Sequence, residues 1–277
     1  MLSNSKYSLL KTLHYLSLDV VVGAVVCSWM FWKMPDGKGV VNIPSLVILG
    51  ICTWIIYILD RLLDNLKSEP EDARHKFHYE HQYYLQITII ILFLIATLMV
   101  FFLPKAVVYF GVTLVGVLFL YFYILQKNNI SSDYQYFKEI FTAAIYCVCV
   151  SGGALSTKLE LEADEFIAAF NFFLLVHQSI LVFSFFELND LPNTKNLAKK
   201  LGKKNCTYLI FGVFVFTMTS LFFAEIGFME KVFQVEILMA FCTTLIFVFR
   251  NKIAVNDNYR WLGEMVFWLP LLLLIWT

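Results

Sequence analysis

The sequence predicts an all-α membrane protein, a bundle of about nine transmembrane helices. The chain of 277 residues is 60% hydrophobic and only 15% charged, whereas a soluble domain carries roughly 25% charged residues. Its charges gather in short patches between apolar stretches close to the roughly 20 residues that cross a bilayer. Strand-type alternation is absent from these stretches, so each is predicted to be a helix that satisfies its own backbone hydrogen bonds.

The apolar stretches follow one another without a soluble second domain, so residues 1–277 are predicted to form one helical domain. Its spans are expected at residues 14–32, 40–59, 85–103, 106–125, 139–156, 166–186, 207–226, 232–250 and 261–276. Only Pro104 and Lys105 separate the third span from the fourth, and only Ile226 to Lys231 separate the seventh from the eighth. The members of each of these two pairs are therefore predicted to be antiparallel neighbours.

The cysteines and the net charge exclude several other classes of protein. Cys27, Cys52, Cys147, Cys149 and Cys242 lie inside apolar runs, and Cys206 begins another. We expect free, buried thiols that pack as small hydrophobic side chains, and no disulfide framework. The N-terminal residues lack a short apolar region followed by a cleavage site, so no removable signal peptide is expected. The net charge of zero gives no indication of nucleic-acid binding.

The basic residues predict the orientation of the spans in the cytoplasmic (inner) membrane. With the N-terminus placed in the cytoplasm, the opposite side keeps only Lys33, Lys38, Lys105, Lys158 and Lys231 out of 21 Lys and Arg residues. Basic residues concentrate on the cytoplasmic side of membrane proteins. The sequence therefore predicts a cytoplasmic N-terminus and, after nine spans, an extracytoplasmic C-terminus.

A first acidic pair follows the second span on the predicted cytoplasmic side. Asp60 and Asp64 are four residues apart, so both carboxylates share one face if the helix continues. Ionisable groups at a membrane helix end are costly unless they are hydrated, paired or bound to a ligand. Two carboxylates on one face suit Mg²⁺, which completes its shell with water and phosphate oxygens. A solvated helix end, with Arg61 neutralising its neighbour, is the alternative interpretation.

A second acidic pair follows the sixth span on the same predicted side. Glu187 and Asp190 are three residues apart and share the last helical turn before Pro192. A polar corner beside a cluster of lysines is the alternative interpretation. Together, however, two acidic clusters that face each other could hold Mg²⁺ against a diphosphate, with nearby Lys and Arg side chains neutralising the remaining phosphate charge.

These features resemble the UbiA superfamily of intramembrane prenyltransferases, which have nine helices and aspartate-rich cytoplasmic loops after helices two and six. The resemblance covers nearly the whole chain. Asp60-x-x-x-Asp64 resembles the end of the first family motif, and Tyr123-x-x-x-Lys127 is similar to the tyrosine-to-lysine turn that closes helix four. The run from Lys199 to Lys203 resembles the Leu-Gly-basic ending downstream of the second motif.

The chain departs from the family pattern at two places. The family usually has Asn four residues before the first Asp, where this sequence has Ile56. The second family motif usually has acidic residues at four-residue spacing, and here Glu187-x-x-Asp190 remains, with Asn193 next. Fewer carboxylates imply weaker binding of Mg²⁺ and diphosphate.

The resemblance implies a UbiA-like helical bundle and the transfer of an isoprenoid from a prenyl diphosphate to a lipophilic acceptor at the cytoplasmic face of the membrane. It implies Mg²⁺ as the cofactor, and it implies metal-binding and catalytic roles for Asp60, Asp64, Glu187 and Asp190. The diphosphate is expected to contact Arg61, Arg74, Lys127, Lys195, His75 and His78. The identity of the acceptor and the length of the prenyl chain are not predicted, because different acceptors would leave similar sequences.

Two other functions fit the same sequence. A UbiA-like protein without enzymatic activity would be a subunit of a membrane complex or a carrier of membrane lipid or quinone, and the shortened second motif favours it. A metal-dependent membrane enzyme would instead use His75, His78 and His81, which could fan across one side of a helix and meet iron or zinc. The chain has only 5 histidines, too few for the membrane oxygenases with histidine boxes. A polar interfacial helix that touches lipid phosphates would show the same histidine spacing.

Overall fold

The computed structural model describes residues 9–65, 73–127, 132–190, 196–224, 226–254 and 258–276. Within these ranges the chain forms helices and short 3₁₀ turns, and it contains no strand. The prediction of an all-α protein is therefore confirmed for the part of the chain that the structure describes. The chain divides into two compact units.

The first unit comprises Met1–Val25 and Asn42–Leu103. Its helices begin and end as follows: α1 Leu9–Tyr15, the first part of α2 Leu18–Lys33, α3 Ile43–Asn65, α4 Ala73–Glu80 and α5 Gln82–Met99, which a 3₁₀ turn at Val100–Phe102 extends. The central helix is α3, which packs against both α4 and α5. The carboxyl end of α3 and the short polar helix α4 are therefore held side by side.

The second unit comprises Val26–Val41 and Pro104–Thr277. Its further helices are α6 Lys105–Lys127, α7 Ser132–Leu155, α8 Ala163–Asp190, α9 Leu197–Thr219, α10 Phe228–Val248, α11 Arg250–Ile253, α12 Asn258–Val266 and α13 Leu273–Trp276, with 3₁₀ turns at Ser220–Phe222 and Leu269–Leu272. The core of this unit is formed around α8, which packs against α7, α9 and α10. Helix α10 also contacts α9 and α12.

Six helical segments among the described residues are long and apolar enough to cross a membrane. They are Ile43–Leu63, Gln82–Phe102, Lys138–Leu155, Ala163–Leu188, Leu197–Phe222 and Phe228–Val248. The bent pair Asn258–Val266 and Leu269–Trp276 makes a seventh if it is one span. The two other predicted spans coincide with α2, which has 16 residues, and with α6, in which Lys105–Tyr121 is a shorter apolar helix. The chain thus has the apolar helices of an integral membrane protein.

The prediction of one continuous helix over residues 14–32 is wrong at its beginning. Leu16 and Ser17 separate α1 from α2, and Ser17 has a φ of +57°. Two side chains from elsewhere in the first unit stabilise this break. The indole Nε1 of Trp54 donates to the carbonyl of Leu16 at 2.8 Å, and Arg74 Nη2 donates to Ser17 Oγ at 2.8 Å. These hydrogen bonds to distant parts of the unit stabilise the break, and the local sequence does not indicate them.

The seventh and ninth predicted spans also differ from straight helices. Helix α9 begins earlier than predicted, after the Asn196 side chain that accepts a hydrogen bond from Lys199 N at 2.9 Å, and it is kinked at Gly202, whose φ is +78°. Glycine adopts this left-handed conformation without the steric cost that other residues incur. The last segment bends by 43° between α12 and the helix that follows, where Pro270 cannot donate a backbone hydrogen bond.

The cysteines are free, as predicted, but they are not all buried. Cys27, Cys147 and Cys206 are buried, Cys149 and Cys242 are half-buried, and Cys52 is exposed. Cys27 donates from Sγ to the carbonyl of Phe267 at 3.2 Å, and Cys147 donates to the carbonyl of Ala169 at 3.2 Å. These two thiols therefore pack inside the second unit, as predicted. Cys52 lies in an equally apolar stretch of sequence but is exposed, so the prediction of burial is wrong for it.

Candidate functional site

The end of α3 is tied to the start of α4 through the side chain of His75. Arg61 donates from Nη1 to His75 Nε2 at 3.0 Å, and His75 Nδ1 lies 3.0 Å from Asn65 Oδ1. The Asn65 amide in turn donates to the carbonyl of His75 at 3.1 Å. Because Nε2 accepts from a guanidinium, the proton of the neutral ring belongs on Nδ1, where it is donated to Asn65. Arg61 and His75 are thus held in fixed positions relative to each other.

Arg74 is a buried cation of the first unit. Its side chain is only 8% exposed, and it reaches the break between α1 and α2 to bind Ser17 Oγ. At the same break, His14 Nδ1 forms an ion pair with Asp19 Oδ2, and Asp19 is also buried. A guanidinium at this depth is costly unless it is hydrogen-bonded and its charge is compensated. Arg74 therefore belongs to the interior of this site and is not a solvated surface residue.

His78 lies beside these cations and is almost completely buried, with 1% of its surface exposed. Its Nδ1 donates to the carbonyl of Arg74 at 2.9 Å. Burial lowers the pKa of His78 to about 4, and repulsion by Arg74, Arg61 and His75 contributes to the lowering, against the hydrogen bond to the Arg74 carbonyl. The ring is therefore neutral at physiological pH, with its proton on Nδ1 and a lone pair on Nε2.

Arg61 and His78 each have a buried nitrogen atom, Nε and Nε2 respectively, that lacks a hydrogen-bond partner among the described residues. Buried polar atoms are nearly always hydrogen-bonded in folded proteins, so an unsatisfied pair indicates a place for a ligand or water. Arg61 Nε is a donor, and His78 Nε2 becomes a second donor when it is protonated. The arrangement can therefore accept an oxygen-rich anion. We call Arg61, Arg74, His75 and His78 the cationic cluster.

The first acidic pair lies on one helix, as its spacing predicts. Helix α3 continues without interruption through Asp60 and Asp64 to Asn65, so the two residues share a face. Asp60 is half-buried and takes part in interactions within the structure. The side chain of Asp64 lies outside the described residues. Coordination of Mg²⁺ by the two carboxylates therefore stays a prediction.

The histidines of the predicted metal centre are bonded to other groups. His81 Nδ1 donates to the carbonyl of Phe77 at 2.8 Å, and its ring stacks on Phe77 with centroids 4.4 Å apart. His75 and His78 use their Nδ1 atoms in a similar way. Across the described ranges, no group of three or more His, Cys, Asp or Glu residues is arranged to hold a metal ion. The geometry gives the histidine-centred alternative no support.

In the second unit, Glu187 of the second acidic pair forms an ion pair. Arg260 of α12 donates from Nη2 to Glu187 Oε1 at 2.6 Å. The neighbouring Tyr259 ring stacks on Phe186, with centroids 4.2 Å apart and an angle of 7° between the rings. Together these contacts attach α12 to the carboxyl end of α8. The carboxylate of Glu187 is therefore partly neutralised by a guanidinium that sequence analysis did not connect with it.

Glu139 is a further acidic residue of this region that sequence analysis missed. Its Oε2 accepts from Ser184 Oγ at 2.7 Å, and its Oε1 accepts from the backbone N–H of Leu197 at 2.8 Å. Glu139 and Glu187 also interact electrostatically. No spacing rule relates a residue near the start of α7 to the end of α8 and the start of α9, so only tertiary structure could reveal it. Glu139 ties three helices together at one end of the second unit.

The remaining predicted site residues cannot be placed in either group. The side chains of Asp190 and Lys127 and the whole of Lys195 lie outside the described residues. Tyr123, from the turn that resembles the family's helix four, is exposed. Because Asp60 belongs to the first unit and Glu187 to the second, the prediction that the two acidic pairs face each other stays a prediction.

Comparison with protein-family models, with curated proteins and with solved structures finds no match for this chain.

Proposed function

We propose that the chain is a UbiA-like prenyltransferase of about nine transmembrane helices that moves an isoprenoid from a prenyl diphosphate to a lipophilic acceptor. The reaction is proposed for the cytoplasmic face of the inner membrane, where the basic residues concentrate. One observation supports the proposal above the others. In the cationic cluster, Arg61 Nε and His78 Nε2 are buried beside Arg74 and have no hydrogen-bond partner in the described part of the chain. A diphosphate supplies the oxygen atoms that these groups lack.

The charges of the cluster suit a diphosphate better than a neutral ligand. Arg61 and Arg74 carry permanent positive charge, and guanidinium groups bind phosphate oxygens with short, charge-assisted hydrogen bonds. A bound anion would also favour protonation of His78, because the negative charge offsets the repulsion from the two arginines. The Nε2 atom would then donate to a phosphate oxygen. In this proposal, Arg61, Arg74 and His78 stabilise the charge that develops on the departing diphosphate.

The two acidic pairs differ in how well they suit Mg²⁺. Asp60 and Asp64 are a carboxylate pair on one helical face, and they are the residues that would hold Mg²⁺ in the first unit. Glu187 fits that role less well, since Arg260 occupies its Oε1 atom and neutralises part of its charge. Mg²⁺, when bound, would polarise the diphosphate and so make it a better leaving group. The apolar helices would keep water away from the allylic cation, and aromatic faces would attract its charge.

The test is diphosphate release by the purified full-length chain, supplied with Mg²⁺, a prenyl diphosphate and extracted membrane lipid as acceptor. Arg61→Lys keeps the positive charge but removes the Nε donor, so we expect the KM for the prenyl diphosphate to rise by about tenfold or more. Lys76→Gln, at an exposed residue on α4, is the matched control and should leave KM unchanged. Absence of release from the wild type with every common prenyl donor would overturn the proposal.

The ion pair between Glu187 and Arg260 favours a second candidate function. A carboxylate that is neutralised by arginine contributes to packing and is less available to a metal ion. This is compatible with a UbiA-like protein that has no enzymatic activity. Such a protein would bind membrane lipid or quinone, or would act as a subunit of a membrane complex. Identification of the lipid that co-purifies with the chain distinguishes the candidates: a retained quinone together with no diphosphate release would favour the second.

A further inference from the structure

Glu236 is a fully buried carboxyl group inside a membrane-spanning helix of the second unit. Its exposed fraction is 0%, and it belongs to the apolar segment Phe228–Val248. At 1.5 Å per residue it lies roughly 12 Å from the start of α10 and about 18 Å from its end. Ionisable residues at such depth are rare and usually functional, because an isolated charge in hydrocarbon is costly. Among the described residues, none of those predicted to bind the diphosphate takes part in this site.

The carboxyl group is paired with an equally buried amide on the neighbouring helix. Asn171 of α8 donates from Nδ2 to Glu236 Oε2 at 3.0 Å, and Asn171 is also 0% exposed. The second oxygen of each side chain, Glu236 Oε1 and Asn171 Oδ1, is buried without a hydrogen-bond partner in the described part of the chain. Glu236 and Asn171 are thus joined by one hydrogen bond, and each still has one oxygen atom that accepts none.

The helix packing keeps these two groups together. Asn171 and Gln178 follow one another along α8, and their partners Glu236 and Thr244 follow in the same order along α10. The two helices therefore run in the same direction, and the polar pair lies at a similar depth in both. The Phe172 ring next to Asn171 packs against Phe31 with centroids 5.5 Å apart. The site is thus closed by well-packed apolar side chains.

The titratable groups close enough for an ionised Glu236 to act on them are thiols, namely Cys27 on α2 and Cys147 on α7. Several charged groups of the other helices that pack against α10 bind other residues: Lys204 of α9 lies over the Tyr208 ring, Arg250 of α11 over the Phe247 ring, and Arg260 of α12 binds Glu187. Glu236 has no charged group as an electrostatic partner among the described residues, including Lys199, Lys200 and Lys203 of α9, Lys252 of α11 and Glu264 of α12. On α8, Glu165 is paired with Lys158, and the His177 ring lies 6.3 Å from Phe173. Within the described ranges, the surroundings of Glu236 thus provide an amide and two neutral thiols and no countercharge.

We infer that Glu236 holds a resident proton and pairs with Asn171 as a neutral carboxylic acid, forming a proton-binding site in the core of the second unit. One proton on Oε1, donated to Asn171 Oδ1, satisfies both of the buried oxygens and removes the uncompensated charge. The pair then has two hydrogen bonds in opposite directions, one from the amide and one from the acid. A bound monovalent cation such as Na⁺ would also contact both oxygens, and the experiment below separates it from the proton.

Infrared difference spectroscopy of the purified full-length protein tests this inference directly. The spectrum of the wild type minus that of Glu236→Gln should contain the carbonyl stretch of a protonated carboxylic acid from about pH 6 to about pH 9, a range in which ordinary glutamate is ionised. The band should persist when Na⁺ replaces K⁺ in the buffer. Glu230→Gln is the matched control on the same helix, half-buried in its first turn, and its difference spectrum should contain only carboxylate bands.

A second measurement uses the stability of the variants. Glu236→Gln can both donate to Asn171 Oδ1 and accept from Nδ2, so it should retain the melting temperature of the wild type to within about 2 °C. Asn171→Leu leaves the acid without a partner and should lower the melting temperature clearly. A carboxylate band in place of the acid band would overturn the inference, as would loss of the acid band in Na⁺. A loss of stability in Glu236→Gln as large as that in Asn171→Leu would also overturn it.

Discussion

Arg260 donates a hydrogen bond of 2.6 Å to Glu187 and thereby joins α12 to the carboxyl end of α8. Both side chains are partly buried, with 16% and 23% of their surfaces exposed. Partial burial reduces screening by solvent, so the pair should contribute more than an exposed ion pair does. The contact gives Glu187 a structural role, and its participation in a Mg²⁺ site stays a prediction.

We expect Glu187→Gln and Arg260→Gln to destabilise the protein each by about 1 kcal/mol, and the double variant to lose less than the sum of the two. The reason is that the second substitution removes a partner that has already lost its contact. Thermal unfolding of the four proteins measures this coupling. If the loss of stability in the double variant equals the sum of the two single losses, the ion pair contributes nothing to stability.

The same Glu187→Gln variant tests the second acidic pair in the reaction. If Glu187 takes part in Mg²⁺ binding, diphosphate release by the variant should require more Mg²⁺ than release by the wild type. Arg260→Gln frees Glu187 Oε1, so it should lower the Mg²⁺ concentration that release requires if Glu187 is a ligand, and leave it unchanged if Glu187 is not. Identical Mg²⁺ titrations for wild type and Glu187→Gln would remove Glu187 from the mechanism.

Glu139 should be important for the junction of α7, α8 and α9. Glu139→Ala removes the acceptor for the Leu197 N–H and for Ser184 Oγ, and leaving such groups unsatisfied costs on the order of 1–3 kcal/mol. We expect a clear decrease in the melting temperature. Lys138→Ala, the neighbouring substitution, is the control and should have a smaller effect. Equal effects of the two substitutions would show that the carboxylate is not what holds the junction.

The sequence was sufficient for the apolar helices and for part of the site, but not for contacts between distant segments. Arg61 and His75 are only 14 residues apart in the sequence, so a local interpretation could group them. The break at Ser17 depends on Arg74 and Trp54, and the neutralisation of Glu187 depends on Arg260. Such pairs have no spacing pattern, because each joins helices whose relative positions follow from packing. For the same reason Glu139 was not recognised as a site residue.

His78 should make the stability of the first unit depend on pH. The ordinary pKa of 6.5 is lowered in the folded state to about 4, first by burial and then by the adjacent cations. Between these values the unfolded chain binds the proton and the folded chain does not, so stability is present above about pH 6.5 and is lost as the pH falls towards 4. The loss should be on the order of 2–3 kcal/mol.

Unfolding followed at several pH values, in wild type and in His78→Gln, measures this effect. The variant has no titrating ring at this position, so its stability should change less between about pH 6.5 and about pH 4. Inorganic diphosphate, if it binds the cationic cluster, should reduce the loss in the wild type by favouring the protonated ring. Parallel pH dependences in the two proteins would show that His78 does not titrate as its surroundings indicate.

The predicted orientation can be tested at the end of the chain. A reporter enzyme that is active only outside the cytoplasm, fused after Thr277, should be active if about nine helices cross the membrane from a cytoplasmic N-terminus. A matched fusion at the same residue carries a reporter that is active only in the cytoplasm, and it should be silent. The reverse pattern would mean an even number of spans, in which case the bent pair of α12 and α13 would be the first segment to test for a failure to cross.

The last prediction concerns Asp60 and Asp64 at the end of α3. If they bind Mg²⁺, Asp60→Asn and Asp64→Asn should each abolish diphosphate release while the melting temperature stays within about 3 °C of the wild type. Asparagine keeps the size and an oxygen acceptor but loses the charge that a divalent cation requires. Asp36→Asn is the control, since Asp36 lies in a loop outside the proposed site, where its Oδ1 accepts from the Lys38 N–H at 2.9 Å. If release survives in both variants at every Mg²⁺ concentration, the acidic pair is a solvated helix end, and the cationic cluster alone binds the phosphate.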